Sequence, residues 1–307
     1  MLIERFDDMD DQLIDSFLNY LRATKAKSEN TTKAYAEDLF QFLEYLKQRK
    51  LSEPVLLNIN HLHIRGFLAH LRDREISKRT VARKLSTLRS FYKYLIVEGF
   101  TKENVAKMVQ APKTSKRLPL FLYPQEIERL LSAPKKDILG IRDRAILELL
   151  YATGMRVGEL VALKIGDINF GANYIIVFGK GSKERIVFFG QKAAESLDEY
   201  LIKSRPHLVK NFECDSLFLN KNGTQLSDRS VRRIIDKYVK AAALSGNISP
   251  HTFRHTFATH MLNNGADLKT VQELLGHSSL STTQIYTHVT KERLKEVYEK
   301  AFPHNKG

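Results

Sequence analysis

The chain has 307 residues and a formal net charge of +14, an excess that points to a polyanionic partner, nucleic acid first and an anionic membrane surface second. No run of about 18 apolar residues is present to span a bilayer, and the acidic start MLIERFDDMD lacks the basic-then-apolar layout of a signal peptide. Cys214 is the only cysteine, which excludes an intramolecular disulfide and a cysteine-rich metal site, so the expectation is a soluble cytoplasmic protein with room for two domains.

The N-terminal third reads as helices. Leu13, Ile14, Phe17, Leu18 and Leu21 recur at helical spacing, as do Tyr35, Leu39, Phe42, Leu43 and Leu46. The first of these helices is expected to begin near Asp10, and a third segment carries Ile64, Phe67, Leu68 and Leu71. A fourth, SKRTVARKLSTLRSFYKYL, puts Val81, Leu85, Leu88, Tyr92 and Leu95 on one stripe. It also holds Lys78, Arg79, Arg83, Lys84, Arg89 and Lys93, with no acid between Ser77 and Val97. Charge runs are usually solvated faces, but those mix signs, whereas a one-signed helix suits contact with phosphates.

Next comes VQAPKTSKRLPLFLYPQEIERLL, interrupted by Pro112, Pro119 and Pro124 and made basic by Lys113, Lys116 and Arg117. Prolines that break both periodicities mark a linker, placed at residues 112–120 between domains spanning 1–111 and 121–307. Beyond it, DRAILELLYATG is a helix with Ala145, Ile146, Leu149 and Leu150 inward and Gly154 closing it. YIIVF and RIVFF are β-rich runs joined by GKGSKE, which reads as a hairpin. Helices follow over SDRSVRRIIDKYVKAA, HTFRHTFATHMLNN, DLKTVQELLG and within KERLKEVYEKAF. The expected fold is therefore mainly α with a small β-sheet or hairpin in the second domain.

Several segments carry chemistry-bearing residues. In TGMRVGEL, Arg156 sits where a helix begins, and free N–H groups with the helix dipole favour an anion there. A surface ion pair is the plainer reading, and Glu159 either orients the arginine or is a first-turn acid favoured by the dipole. The hairpin tip GKGSKER presents Lys180 between two glycines, with Lys183 and Arg185 nearby. This is good turn chemistry, yet a lysine on such a tip could deliver a proton into a groove; the tip lacks the spacing of a Walker A loop. In HTFRHTFATH, His251, Arg254 and His255 fall within about one helical turn. His251 and His255 have i,i+4 spacing for a metal, but the glutamate of H-E-x-x-H is absent and Arg254 would repel a cation, so no metal is expected and an anionic oxygen fits better. His255 and His260 read as packing or surface residues.

The stretch LLGHSSLSTTQIYTHV ends one helix at Gly276 and leaves His277 just past that end. Ser281-Thr282-Thr283-Gln284 matches a capping box, which predicts a helix from Ser281 with Tyr286 in its second turn. A core tyrosine and a displaceable functional one both suit this local grammar.

Taken in order, Arg156, Lys180, His251, Arg254, His277 and Tyr286, in the contexts TGMRVGEL, GKGSKER, SPHTFRHTFATH, LGHSS and IYTHV, resemble the catalytic domain of the tyrosine recombinase (phage integrase) family. The layout is similar to its Xer-type site-specific recombinases, and the helical basic N-terminal region looks like the family's SAM-like core-binding domain. Phe253 stands where leucine is common, an apolar exchange. The resemblance implies two domains forming a C-shaped clamp around double-stranded DNA. It implies that Tyr286 attacks a phosphodiester to give a 3′-phosphotyrosyl bond and a free 5′-hydroxyl. Free tyrosine has a pKa near 10, so about one molecule in a thousand is phenolate at pH 7, and cations around the phosphate help twice. Arg156 and Arg254 would clamp the phosphate and His277 would add a hydrogen bond. His251 would serve as general base or relay, Lys180 as general acid, and Glu159 would orient the first arginine and histidine. No cofactor is implied, because the covalent bond stores the energy of the broken phosphodiester.

Further DNA contacts are expected from Lys78, Arg79, Arg83, Lys84, Arg89, Lys93, Lys116, Arg117 and Lys183. A non-catalytic DNA-binding protein would explain the charge but not the ordered set of candidate residues. A type IB topoisomerase shares the nucleophile chemistry but cuts without synapsis. A mobile-element integrase with an arm-binding domain usually carries further residues ahead of the core-binding helices, for which a first helix near Asp10 leaves no room. The resemblance also implies a homotetramer, or a heterotetramer with a sister recombinase, on two DNA sites, with chromosome-dimer resolution at cell division as the expected role. Mobile-element recombinases of the same family share this layout, so a chromosomal as against a mobile-element role stays open, as do the recombination site, dependence on a septal DNA translocase and exchange of the last helix (roughly Lys291 to Phe302) between protomers.

Overall fold

Apolar residues at helical spacing build the first of two compact units, residues 1–117 and 118–307. The computed structural model describes residues 4–24, 29–49, 51–113, 120–178, 184–210, 214–276 and 288–305. In the first unit α1 (Glu4–Ala23), α2 (Glu29–Lys47), α3 (His61–Asp73) and α4 (Lys78–Val97) follow one another. Helix α1 begins at Glu4, ahead of the start expected near Asp10, and its buried apolar stripe runs from Leu13. Phe17 of α1 meets Phe91 of α4 edge to face at 5.5 Å, and Leu39, Phe42, Ile64, Phe67, Leu85 and Leu88 fill the space around them. A buried carboxylate organises the loop before α3: Asp10 accepts hydrogen bonds from the backbone N–H of Val55 (2.7 Å) and Leu56 (2.9 Å). Ser77 caps α4 by accepting from the Thr80 N–H.

The second unit is arranged around α6 (Ile138–Thr153), which is buried on all sides and carries Arg142, Asp143 and Glu148 inward with its aliphatic residues. Asp143 makes this tolerable by accepting from Arg142 (2.6 Å) and from the Tyr238 hydroxyl (2.9 Å). Before it lies α5 (Pro124–Ser132), with proline at the first position where its missing N–H costs nothing. After it come the short α7 (Val157–Ala162) and a three-stranded antiparallel sheet in the order β1 (Ile168–Asn169), β2 (Tyr174–Phe178), β3 (Glu184–Phe188). Val177 is opposite Arg185 and Ile175 opposite Val187 across β2 and β3. Then α8 (Gln191–Glu199) and α9 (Arg205–Leu208) lead to α10 (Asp228–Ala241), α11 (Pro250–Asn263), α12 (Leu268–Leu275) and α13 (His288–Ala301). Helix α13 packs on its own unit through Leu294, Tyr298 and Ala301; the Tyr298 hydroxyl donates to the Ala152 carbonyl at 3.0 Å. Among the described residues, no helix is long and apolar enough to cross a membrane.

Candidate active site

Two left-handed glycines stop two helices at one place in the second unit. Gly154 (φ 57°) ends α6 and Gly276 (φ 67°) ends α12, and both turns leave main-chain carbonyls without intrahelical partners. Three arginines supply the missing donors on α12. Arg185 Nε donates to Leu274 O (3.4 Å), Arg254 Nη2 to Leu275 O (2.6 Å) and Arg156 Nη2 to Gly276 O (3.4 Å). Arg254 also donates through Nη1 to Gly154 O at 2.8 Å, which ties the ends of α6 and α12 together. Cations at helix C-termini are favoured by the dipole, so the arrangement is stabilised without an acid at each arginine.

Arg156 is the residue just ahead of α7, as the sequence suggested, but the anion at that helix start is the protein's own. Its backbone N–H donates to Glu159 Oε2 (2.8 Å) and its Nη1 to Oε1 (2.9 Å), so Glu159 takes the position an external anion would take. The remaining face of the Arg156 side chain is open, with 44% of it exposed. Arg254 arises from the second turn of α11, started by Ser249 and Pro250. Burial, and then repulsion by Arg156 and Arg185, pull its guanidinium down to about 10, against the opposing charge of Glu159. A guanidinium has five N–H donors, and described residues take two of them on Arg156 and two on Arg254.

Arg185 was legible only as a member of a basic hairpin, yet it is buried at 6% exposure and bonds both Glu159 oxygens at 2.7 Å. The available signal was strand alternation: Arg185 lies opposite buried Val177, so it shares the inward face with Val187 and requires a buried acid. Burial works against the Glu159 carboxylate, but the two Arg185 bonds and the Arg156 contacts outweigh it and hold the group at about 2.

His251 is exposed at the start of α11, one turn before Arg254. His255 goes elsewhere, edge-on to Phe121 at 6.3 Å, and His260 is buried with its Nδ1 2.9 Å from the Tyr151 hydroxyl, so both are packing residues. Lys180, Lys183, His277, Tyr286, Lys116, Arg117 and the helix start expected at Ser281 lie outside the described residues.

The cations of the one-signed helix α4 do not share one exposed face. Lys84, one turn from Val81 and from Leu88, falls beside the apolar stripe and is buried against Asp38 (2.7 Å), which also takes Arg83 and the Thr87 hydroxyl. Arg89 donates to the carbonyls of Ala106 (3.3 Å) and Val109 (2.6 Å) and anchors the segment that follows the helix. Lys84 and Arg89 thus serve the unit's own structure, whereas Lys78, Arg79 and Lys93 are exposed.

Comparison with known proteins bears on this geometry directly. Residues 120–293 match the phage integrase family, and residues 14–99 match that family's N-terminal SAM-like domain. Tyrosine recombinase XerC of Pelotomaculum thermopropionicum is 49% identical over 302 residues, covering 96% of this chain and 99% of the relative. Tyrosine recombinase XerD of Listeria innocua is 45% identical over 294 residues, covering 95% and 98%. Among solved structures, XerH recombinase in a post-cleavage complex with a palindromic difH substrate has a TM-score of 0.69 at 26% identity, covering 94% of each chain. A lambda integrase dimer on a core site shares the fold, with a TM-score of 0.66 at 23% identity over 87% of this chain and 94% of that one. The chain belongs to the phage integrase family, as a Xer-type tyrosine recombinase that carries out site-specific recombination.

Proposed function

We propose that this recombinase cuts one DNA strand with Tyr286 and holds the scissile phosphate between Arg156 and Arg254. The observation that carries this reading is the placement of both guanidiniums on adjacent carbonyls, Gly276 and Leu275, at the point where the chain passes into His277. The Tyr286 oxygen forms a bond to phosphorus, its proton passing to His251 or a relay through it. The bond from phosphorus to the 5′-oxygen breaks, and that oxygen takes a proton from Lys180. Arg185, in the strand that follows the Lys180 tip, belongs to the same cluster, which supports placing Lys180 there. The unspent N–H donors of Arg156 and Arg254 stabilise charge as it builds on the non-bridging oxygens, with His277 adding a further donor.

Residues 1–111 act in this reading as the core-binding domain, 112–120 as the linker and 121–307 as the catalytic domain, closing on double-stranded DNA. Exchange between two duplexes breaks four phosphodiesters with one tyrosine each, so the working assembly is a tetramer, either of this chain or with a sister recombinase. The cellular role proposed is resolution of chromosome dimers in the cytoplasm at cell division, with a septal DNA translocase as a further partner. The test is incubation with nicked suicide duplexes in EDTA and a denaturing gel. A covalent adduct that disappears in Tyr286→Phe supports the assignment. One that persists in Tyr286→Phe rejects the nucleophile, and the absence of any adduct on candidate sites favours a non-catalytic binder.

A further inference from the structure

The Glu159 carboxylate poses an electrostatic problem for the proposed chemistry. A carboxylate bonded to Arg156 fixes the guanidinium but cancels its charge next to the phosphate it should stabilise. Arg185 resolves the conflict. Glu159 Oε1 accepts from Arg156 Nη1 (2.9 Å) and Arg185 Nη1 (2.7 Å), and Oε2 accepts from the Arg156 N–H (2.8 Å) and Arg185 Nη2 (2.7 Å). The four lone-pair positions of the carboxylate are thereby filled. With Arg254, three guanidiniums face one carboxylate, leaving two positive charges, which match the two negative charges of a phenolate joined to a phosphodiester in the transition state. Arg185 itself is buried on Glu159, so the charge it frees is presented by Arg156 and Arg254.

The same side chain fixes the end of α12. Its Nε reaches the Leu274 carbonyl, and its Cδ approaches Gly276 so closely that a Cβ there would sit 2.7 Å away. Arg185 therefore links the hairpin strand, the acid that holds Arg156 and the residue that precedes His277.

We infer that Arg185 is a positioning residue for strand cleavage, neutralising Glu159 so that Arg156 is held in place with its positive charge intact. This inference rests on the reading that Arg156 and Arg254 hold the phosphate.

Single-turnover adduct formation on two suicide duplexes tests it, one with the natural phosphodiester and one with a neutral methylphosphonate at the cleavage position. Arg185→Gln should slow cleavage of the phosphodiester by about 100-fold and of the methylphosphonate by less than about tenfold, since the second transition state carries one charge fewer. The double variant Glu159→Gln/Arg185→Gln should recover at least about tenfold over Arg185→Gln, because the unneutralised carboxylate is gone. Equal losses on the two duplexes, or a double variant no faster than Arg185→Gln, would overturn the inference. Should Arg185→Gln fail to fold, Arg185→Lys keeps the neutralising charge with a single point of contact, so it should cleave the phosphodiester within about tenfold of wild type, and a loss of about 100-fold on that duplex would overturn the inference. A wild-type protein that forms no adduct on either duplex contradicts the phosphate-clamp reading itself, whereas normal wild-type cleavage with an indifferent Arg185→Gln contradicts only this inference.

Discussion

Arg254 and Leu275 are joined by a 2.6 Å hydrogen bond from Nη2 to the main-chain carbonyl, and the same guanidinium reaches Gly154 O at 2.8 Å. One planar side chain thus spans two helix ends, with two of its five N–H donors taken by these carbonyls. Lysine has the charge but not the fork. Arg254→Lys is therefore expected to slow adduct formation by about 100-fold or more while leaving affinity for duplex DNA little changed. Single-turnover cleavage alongside a gel-shift titration at one salt concentration checks both parts.

Gly276 is constrained twice. Its φ of 67° is left-handed, and a Cβ would meet Arg185 Cδ at 2.7 Å and Nε at 2.9 Å. Left-handed backbone alone costs a non-glycine residue about 1–2 kcal/mol. Gly276→Ala should destabilise the fold by at least that amount, read as a lower urea midpoint. Because the clash falls on Arg185, cleavage should drop by more than the unfolded fraction explains. A glycine whose Cβ meets nothing, Gly158, provides the control.

Glu159 gives a pH signature. Burial disfavours its charged form, yet bonds from Arg185 and Arg156 hold it at about 2, below the ordinary 4.5. A carboxyl depressed in the folded state contributes stability that is fully present above its unfolded value and is lost as pH falls towards the folded one. The stability gap between wild type and Glu159→Gln should accordingly shrink by roughly 2 kcal/mol between pH 7 and about pH 3. Urea unfolding at a series of pH values measures it, and a gap that widens on acidification rejects the assignment.

Helices with long apolar stripes were legible in the sequence because burial imposes a period that survives without knowledge of partners. Val81, Leu85, Leu88, Tyr92 and Leu95 of α4 all face the core as that period requires. Partners distant in sequence were not legible. Nothing near Lys84 announces Asp38, and nothing near Arg185 announces Glu159, since buried ion pairs are specified by tertiary approach rather than by local pattern. The order of Arg156, His251 and Arg254 could be read from motifs, but the shared use of the α12 carbonyls by Arg156 and Arg254 depends on where two glycine-stopped helices end. The two-residue strand β1 is too short to leave a periodic signal at all.

Cations on α4 should divide into two groups with opposite phenotypes. Lys84 is buried with its Nζ 2.7 Å from Asp38 Oδ1, so removing the acid strands a charge inside the unit. Asp38→Asn is expected to cost about 3–5 kcal/mol, and Lys84→Met to cost less because its stem volume is kept. At temperatures where the fold persists, Lys84→Met should leave DNA affinity and its salt dependence unchanged. Lys78, Arg79 and Lys93 are exposed on the same helix. Each replaced by alanine should leave thermal stability intact, weaken DNA binding and lower the slope of log affinity against log salt by about 0.9 for every phosphate that the side chain neutralises. Fluorescence-anisotropy titrations across a salt series measure that slope. If Lys84→Met lowers it and Lys93→Ala does not, the phosphate-facing side of α4 has been placed on the wrong residues.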